Sequence, residues 1–348
     1  MTPRAFITGL TGPDITPAER AFLRDAAPWG LIIFKRNIET PEQVRRLVAG
    51  FREAAGRADA PVLVDQEGGR VQRLGPPHWP AYPPGADYGR LYDRDRALGL
   101  EAARLGARLI AGDLFSLGID VDCLPLADVP VAGANPVIGD RAYGATPEKV
   151  SAIAAAIAAG LMEGGVLPVL KHLPGHGRPT ADSHAELPVV DVDRDVLDTT
   201  DFAAFRPLAG LPLGMTAHVV FTAYDSVAPA TTSVTMVRQV IRDSIGFEGL
   251  LMSDDLSMSA LSGSIAERTR AAIDAGCDVV LHCNGQMDEM QAVAAAAPRL
   301  AGPAERRASA ALKARTTKPR DIDLAEARNT FAALMAGRRP AGARMAAS

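Results

Sequence analysis

The sequence is poor in cysteine and aromatic residues and contains no long apolar run. Three cysteines in 348 residues are too few for a disulfide framework, and no CxxC pair is present to hold zinc. The longest apolar run, residues 152–162, is mostly alanine and has about half of the ~20 residues that a membrane span requires. The first residues lack the charged start and apolar stretch of a signal peptide. We therefore exclude a disulfide-rich secreted protein and a membrane-spanning one, and expect the cytoplasm.

An excess of positive charge is also absent. Lys and Arg total 37 against 41 Asp and Glu, a net charge of −4, whereas binding to nucleic acid depends on a clustered basic surface. We therefore expect neither nucleic acid nor a membrane among the partners. Hydrophobic residues make up 47% and charged residues 22% of the chain, a normal globular balance that excludes disorder as the dominant state.

Short apolar or β-branched runs alternate with longer stretches of helical periodicity. This alternation indicates a parallel sheet with helices outside it. The predicted helices include residues 41–55, 96–117, 147–164, 235–245 and 265–275. The predicted strands are Ala5–Thr8, Gly30–Phe34, Pro61–Asp65, Asp120–Leu124, Leu167–Lys171, Leu213–His218, Leu250–Ser253 and Asp278–His282.

Eight strands of this kind predict an α/β fold, a single (β/α)8 barrel of the TIM type, because near-continuous apolar strands fit burial on both faces. An open doubly wound sheet is the alternative, but no GxGxxG motif follows the first strand. We expect extra C-terminal helices over residues 302–336, the last ended by Gly337. The catalytic domain then spans residues 1–337, and residues 338–348 form a flexible tail.

Two long connections, residues 68–96 and 173–191, stand out, since structureless connections of this length are usually functional. The first is rich in proline and carries Trp79, Tyr82 and Tyr88. For these aromatic side chains, internal packing is favoured over a place on the leaving-group side of a site.

Charged or imidazole side chains follow almost every predicted strand, where catalytic groups of such barrels lie. For any single histidine at a strand end, a structural role as a buried, hydrogen-bonded ring is as good an explanation as a catalytic one. No HxH or HExxH pair is present, and the basic side chains at this rim would repel a cation, so we expect no metal and no cofactor. The groups at the strand ends include Asp65, Arg73, Asp128, Arg141, Lys171, His172, His218, Asp254 and His282.

Asp254 is the candidate nucleophile, since it follows the apolar run 250–252 and should point into the mouth of the barrel from a rigid base. The alternative is that Asp254 or Asp255 caps the following helix, a role favoured for Asp255. Asp182 and His184 lie two positions apart on a loop, where the carboxylate can orient the imidazole and raise its basicity. An ordinary turn closed by Asp182 is the alternative.

These residues resemble the motifs of a known family. Residues 171–177, KHLPGHG, followed by Asp182-Ser183-His184, are similar to the KHFPGHG…DSH signature of bacterial β-N-acetylhexosaminidases of glycoside hydrolase family 3. SDDLSM at 253–258 resembles the family's nucleophile segment, and DQEGGRVQR at 65–73 and IGDR at 138–141 match in order and spacing. Arg178 departs from the pattern, because an acidic residue often follows the GHG.

The resemblance implies a retaining exo-hydrolase that removes terminal β-linked N-acetylglucosamine. In the peptidoglycan-recycling members, the substrate is a cytoplasmic N-acetylglucosaminyl-anhydromuramyl fragment with or without its peptide. Asp254 would be the nucleophile and His184, paired with Asp182, the acid/base. Because His184 is on a loop that contains glycine and proline whereas Asp254 is on a strand, we expect this loop to swing over bound sugar. We expect the protein to act as a monomer. The resemblance assigns sugar binding to Asp65, Arg73, Arg141, Lys171 and His172.

Several alternatives remain open at this stage. A family 3 enzyme acting on glucosides or xylosides stays within the same class, and phosphate could replace water as the acceptor. A sugar-binding barrel without catalysis and a metal-dependent amidohydrolase belong to other classes. Comparison of nitrophenyl glycosides tests the first alternative, and release of sugar 1-phosphate in phosphate buffer tests the second. Substitution of Asp254 tests the sugar-binding barrel, and inhibition by chelators tests the amidohydrolase.

Overall fold

Eight parallel strands close into a barrel in the computed structural model, which describes residues 2–181, 186–319 and 322–338. Each strand pairs with its neighbours in chain order, and the last closes on the first with Phe6 opposite Val280. The predicted (β/α)8 fold and all eight strands are confirmed. The strands are β1 (Arg4–Thr8), β2 (Pro28–Ile33), β3 (Val62–Val64), β4 (Val121–Asp122), β5 (Leu167–Leu173), β6 (Leu213–Thr216), β7 (Leu250–Asp255) and β8 (Val279–His282).

Helices surround the barrel, and the five predicted ones are present with ends shifted by at most two residues; the segment Met236–Ser244 is a π-helix. Capping explains several starts: Thr40 and Thr146 each accept a backbone N–H from the first turn and are followed by proline. The α-helices are α1 (Pro17–Ala26), α2 (Pro41–Ala54), α3 (Gly85–Arg94), α4 (Arg96–Phe115), α5 (Pro147–Glu163), α6 (Arg194–Thr199), α7 (Ile265–Ala275), α8 (Met287–Ala296), α9 (Gly302–Lys313) and α10 (Leu324–Met335).

The core has two layers because alternate residues of a strand face opposite sides of the sheet. Ile7 and Ile32 belong to the cluster that fills the barrel interior. Their neighbours Phe6 and Leu31 belong to the cluster between the strands and the helices. Burial on both faces accounts for the near-continuous apolar strands from which the barrel was predicted.

The connection 68–96 is more ordered than expected, because it contains the helix α3. It opens with a tight antiparallel pair, Gln66–Gly68 with Val71–Gln72. The turn requires glycine at position 68, where φ is +96° and a Cβ would lie 2.3 Å from the carbonyl oxygen of Pro83. Trp79, Tyr82 and Tyr88 are buried, as internal packing predicts.

The extra C-terminal helices α9 and α10 are present as predicted. Phe331 of α10 packs against the rings of Tyr82 and Tyr88, which joins the helix to the connection 68–96. Gly337 follows the helix with φ of +76°, a usual conformation for a glycine just past a helix end. Residues 339–348 lie outside the described residues, so the domain limit at 337 stays a prediction. No helix in the described part of the chain has the length and apolar character needed to cross a membrane.

Candidate active site

A cavity of about 340 Å³ opens at the carboxyl ends of the barrel strands. Asp182 and His184, the predicted acid/base pair, lie outside the described residues. The other six predicted site residues all line this cavity: Asp65, Arg73, Arg141, Lys171, His172 and Asp254. The strand ends therefore bring together residues that are up to 189 positions apart in the sequence, from Asp65 to Asp254.

Asp254 stands near the end of β7, behind the fully buried residues Leu250, Leu251 and Met252. Its Oδ1 accepts the backbone N–H of Asp255 at 2.7 Å. Burial alone would raise the pKa of Asp254, but the imidazoles of His218 and His172 outweigh it and hold the pKa below its ordinary value. The side chain is therefore an ionised carboxylate at neutral pH, as a nucleophile must be.

Asp255 does not cap the following helix, so that expectation is wrong. Helix α7 begins only at Ile265, and its cap is Ser264, which accepts the backbone N–H of Glu267. Asp255 instead closes a turn at the strand end. Its Oδ1 accepts the N–H groups of Ser257 at 3.0 Å and Cys283 at 3.1 Å. These bonds tie the end of β7 to the end of β8 and fix the backbone beside Asp254.

Asp65 pairs with two basic side chains at the cavity wall. Its Oδ1 lies 3.0 Å from Nζ of Lys171, and its Oδ2 lies 3.0 Å from Nη2 of Arg73. Burial by itself would raise the pKa of Asp65, but Lys171 and Arg73 more than offset it and keep the pKa well below its usual range. The three side chains are charged at neutral pH and present donors and acceptors suited to sugar hydroxyl groups.

Glu67 is a site residue that the sequence analysis missed. Its carboxylate accepts two hydrogen bonds from Arg141, both at 2.8 Å, and Oε1 lies 2.6 Å from Nζ of Lys171. Burial would raise the pKa of Glu67, yet Lys171 and Arg141 hold it below its ordinary value. One signal could have found it: Asp65 and Glu67 are two positions apart at a strand end, a spacing that places side chains on one face.

Arg70 explains why two of the sequence motifs occur together. It lines the cavity, and its Nε lies 3.1 Å from Oδ1 of Asp140 while Nη2 donates to the carbonyl of Pro136 at 3.0 Å. The segment 65–73 is thereby tied to the segment 136–141. This contact places Arg141 beside Glu67.

Asp128 orients the end of β5 and the start of the connection that follows it. Its Oδ2 lies 2.8 Å from Nδ1 of His172, and its Oδ1 accepts the backbone N–H of His176 at 2.6 Å. Burial would raise the pKa of Asp128, but the two imidazoles keep it below its ordinary value. For His176, burial lowers the pKa to about 4. The carboxylate thus fixes which face of the His172 ring meets the cavity.

His218 and His282 are buried, hydrogen-bonded rings and do not belong to the cavity lining. Nδ1 of His218 lies 2.7 Å from the hydroxyl of Thr231, and Nε2 lies 3.0 Å from the carbonyl of Asp255. Nε2 of His282 lies 2.9 Å from a carboxylate oxygen of Glu289 on α8. For these two histidines, the alternative of a buried, hydrogen-bonded ring with a structural role is therefore the one that the structure supports.

Across residues 2–181, 186–319 and 322–338, no group of three or more His, Cys, Asp or Glu side chains is arranged to hold a metal ion. The cavity combines the ionised carboxylate of Asp254 with a wall of paired basic side chains and carboxylates. Such a wall can fix a polar, hydroxyl-rich ligand against the carboxylate of Asp254.

Comparison with known proteins gives the same picture. The glycosyl hydrolase family 3 N-terminal domain matches residues 7–315. A beta-hexosaminidase of Alkalilimnicola ehrlichii is 42% identical over 282 residues, 79% of either chain, and one of Methylococcus capsulatus is 37% identical over 320 residues, 91% of this chain and 93% of the relative. NagZ from Neisseria gonorrhoeae, solved in complex with N-trifluoroacetyl-D-glucosamine, has a TM-score of 0.84 at 31% identity and 97% coverage of both chains.

The closed barrel and the charged cavity at its carboxyl rim, together with these relatives, define the protein as a glycoside hydrolase. The chain belongs to glycoside hydrolase family 3, whose domain matches most of its length, and its relatives are beta-hexosaminidases. The family, the fold and the enzyme class predicted from the sequence motifs are thereby confirmed.

Proposed function

We propose that the protein is a retaining exo-β-N-acetylglucosaminidase that removes terminal N-acetylglucosamine from cell-wall muropeptide fragments during peptidoglycan recycling. The substrate in this proposal is an N-acetylglucosaminyl-anhydromuramyl fragment, with or without peptide, in the cytoplasm. Two findings support the choice of sugar: the relatives are beta-hexosaminidases, and the solved NagZ holds N-trifluoroacetyl-D-glucosamine. The enzyme acts as a monomer without metal or cofactor.

The observation that carries the proposal is the position of Asp254. Its ionised carboxylate lies in the wall of a cavity whose other charged side chains are suited to hydroxyl and acetamido groups. The cavity volume of about 340 Å³ is near the lower end of the roughly 300–1,000 Å³ typical of small-ligand sites. Such a volume suits one terminal sugar better than an internal stretch of polysaccharide.

The proposed reaction proceeds in two steps. A carboxylate oxygen of Asp254 forms a bond to the anomeric carbon while the bond to the leaving oxygen breaks, and His184 gives its proton to that oxygen. Water then attacks the anomeric carbon, His184 takes its proton, and the ester to Asp254 breaks to release the sugar. Asp182 orients the imidazole of His184 as the acid of a catalytic triad orients its histidine.

The cavity wall supplies orientation. Asp65 accepts hydrogen bonds from sugar hydroxyl groups, while Lys171, Arg73, Arg141 and His172 donate to hydroxyl or acetamido oxygens. These groups contact parts of the sugar away from the bond that breaks, so their binding energy holds the anomeric carbon against Asp254. Because Asp65 is already paired with Lys171 and Arg73, little reorganisation of these side chains accompanies binding.

Trapping of the covalent intermediate tests the proposal. A 5-fluoro N-acetylglucosaminyl fluoride should inactivate the enzyme, and mass spectrometry of a digest should find one hexosaminyl adduct on the peptide containing Asp254. The Asp254→Asn variant should give no adduct. An adduct on another carboxylate, or inactivation without any adduct, would contradict the assignment.

A second measurement tests the sugar. We expect the nitrophenyl β-N-acetylglucosaminide to be cleaved at least 100-fold more efficiently than the corresponding β-glucoside and β-xyloside. Comparable kcat/KM values for the three would favour a glucosidase or xylosidase of the same family instead.

A further inference from the structure

The connection after β5 begins with a well-bonded segment, residues 174–181, which we call the loop root. One side of the loop root is fixed by backbone groups. The N–H of Asn135 donates to the carbonyl of Pro179 at 2.8 Å, and a Cβ at Gly177 would lie 2.1 Å from the carbonyl oxygen of Val129. The loop root therefore lies directly against residues 129–135.

The other side of the loop root is fixed by a side chain. Nε of Arg178 lies 2.5 Å from Oδ2 of Asp201, and Nη2 donates to the hydroxyl of Thr200 at 2.7 Å. Only 15% of the Arg178 side chain and 2% of the Asp201 side chain are exposed. The pair is therefore largely desolvated, unlike an ordinary surface ion pair.

Asp201 is a rigid attachment point. It lies between the end of α6 and the fully buried Phe202, and the ring of Phe205 is also fully buried. A Cβ at Gly175 would lie 3.3 Å from Cβ of Asp201, so the loop root packs closely on this acid. A guanidinium bound to Asp201 is therefore held in a fixed position relative to the protein core.

The ion pair of Arg178 with Asp201 lies close in the sequence to the predicted acid/base residue. His184 follows Arg178 by six positions. Six residues extend at most about 20–22 Å, so the point where the loop root is held limits where His184 can stand. An error of about 1 Å in the placement of a reacting group can cost about 100-fold in rate.

We propose that Arg178 and Asp201 form a positioning clamp, which sets the path of the chain toward the acid/base histidine and so controls protonation of the leaving oxygen. Arg178 and Asp201 are positioning residues, and neither contacts the sugar. This inference rests on the proposed function, because the acid/base role belongs to His184 there.

The test uses a variant that removes the clamp without leaving a buried charge unpaired, Arg178→Gln with Asp201→Asn. The matched control is Arg206→Gln with Asp198→Asn, which removes a nearby ion pair of 2.8 Å whose side chains are 37% and 36% exposed. Two substrates are compared for each: the N-acetyl-β-glucosaminide of a sugar alcohol, whose leaving oxygen needs a proton, and the 2,4-dinitrophenyl glycoside, whose leaving group departs without one.

Loss of the clamp should lower kcat/KM about 100-fold for the sugar-alcohol glycoside and less than about 3-fold for the dinitrophenyl glycoside. The control pair should change neither value by more than about 2-fold. A merely structural role would lower kcat/KM equally for both substrates. That result, or no change in either value, would overturn the proposal. If the double variant fails to fold, Arg178→Lys is measured instead, with an expected loss of about 10-fold confined to the sugar-alcohol glycoside.

His184→Ala is measured in parallel to separate the two proposals. If His184→Ala shows the leaving-group-selective loss and the clamp variant does not, the clamp is wrong and the acid/base assignment stands. If His184→Ala lowers kcat/KM equally for both substrates, the acid/base assignment itself is wrong.

Discussion

The cavity wall and the loop root are held in different ways. The wall, formed by Asp65, Glu67 and the cations that they pair, stands on strand ends and is bonded to itself through several charged contacts. The loop root is held by hydrogen bonds of its backbone to residues 128–135 and by the buried ion pair of Arg178 with Asp201. In the proposed mechanism, sugar binding and nucleophilic attack depend on side chains at the strand ends, whereas proton transfer depends on the connection that begins with the loop root.

This difference predicts two kinds of defect. Changes in the wall should weaken turnover of every substrate, because each substrate carries the same terminal sugar. Changes at the loop root should lower kcat/KM, which reports the first chemical step and not the later release of the sugar, only where the leaving oxygen needs a proton. The following variants break or sharpen that comparison.

The largest effect is expected at Asp254. Asp254→Asn should lower kcat at least about 10⁴-fold with every N-acetylglucosaminide, because it removes the group that forms the covalent bond in the proposed mechanism. Steady-state rates with the nitrophenyl glycoside measure this loss. Asp225→Asn is the control, since Asp225 closes a turn outside the cavity through the N–H groups of Val227 and Ala228. A loss below about 10-fold at Asp254 would exclude it as the nucleophile.

Glu67 should give the next largest effect. Glu67→Gln removes the charge that holds Lys171 and Arg141, and hydrogen bonds to charged groups contribute about 1.5–3 kcal/mol, so kcat/KM should fall about 10- to 100-fold. The loss should be the same for the dinitrophenyl and sugar-alcohol glycosides, in contrast with the clamp variant. Selective loss with one substrate would contradict the division between wall and loop root.

A buried glutamate outside the site provides the control for Glu67. Glu19 is 1% exposed and accepts bonds from the backbone N–H groups of Thr11 and Thr16. Glu19→Gln should lower Tm while leaving kcat/KM within about 2-fold, because its contacts only brace the start of α1. Equal losses of activity in the two variants would mean that Glu67 acts through stability alone.

Acid should weaken the loop root through His176. Burial lowers the pKa of His176 to about 4, against about 6.5 in an unfolded chain. Between these values the unfolded state binds the proton and the folded state does not, so stability falls as the pH is lowered from about 6.5 to about 4, by up to about 3 kcal/mol. Urea unfolding of the wild type and His176→Asn across this range measures it. The variant should show a shallower slope of stability against pH than the wild type, and equal slopes would contradict the role of His176.

Much of the scaffold was predictable because it depends on local pattern. Buried apolar runs identified all eight strands, and caps such as Thr146 identified helix starts. Helix α3 was missed, since the proline-rich start of its connection indicates a loop and the packing of Tyr88 against Phe331 is not visible in the sequence.

The candidate site was predictable where a single strand end identifies a residue, as for Lys171 or Asp254. It was not predictable where a role depends on partners far apart in the chain. Glu67 meets Arg141 across 74 positions, and Arg178 meets Asp201 across 23. Sequence reasoning noted Arg178 only as a departure from the family motif, because nothing local indicates the acid that binds it.

The smallest effect is expected at the C-terminus, where the domain limit stays a prediction. Removal of residues 339–348 should leave kcat/KM unchanged within error and shift Tm by less than about 1 °C, since Gly337 already ends the last helix. Phe331→Ala, only a few residues earlier, should lower Tm because it removes contacts to Tyr82 and Tyr88. The loss of unfolding free energy should be less than the about 3–5 kcal/mol that truncation of a fully buried phenylalanine costs. Neither change should alter the ratio of kcat/KM between the two glycosides. A shift of that ratio on truncation would mean that the chain end acts on proton transfer, and that the contacts of the loop root do not by themselves set it.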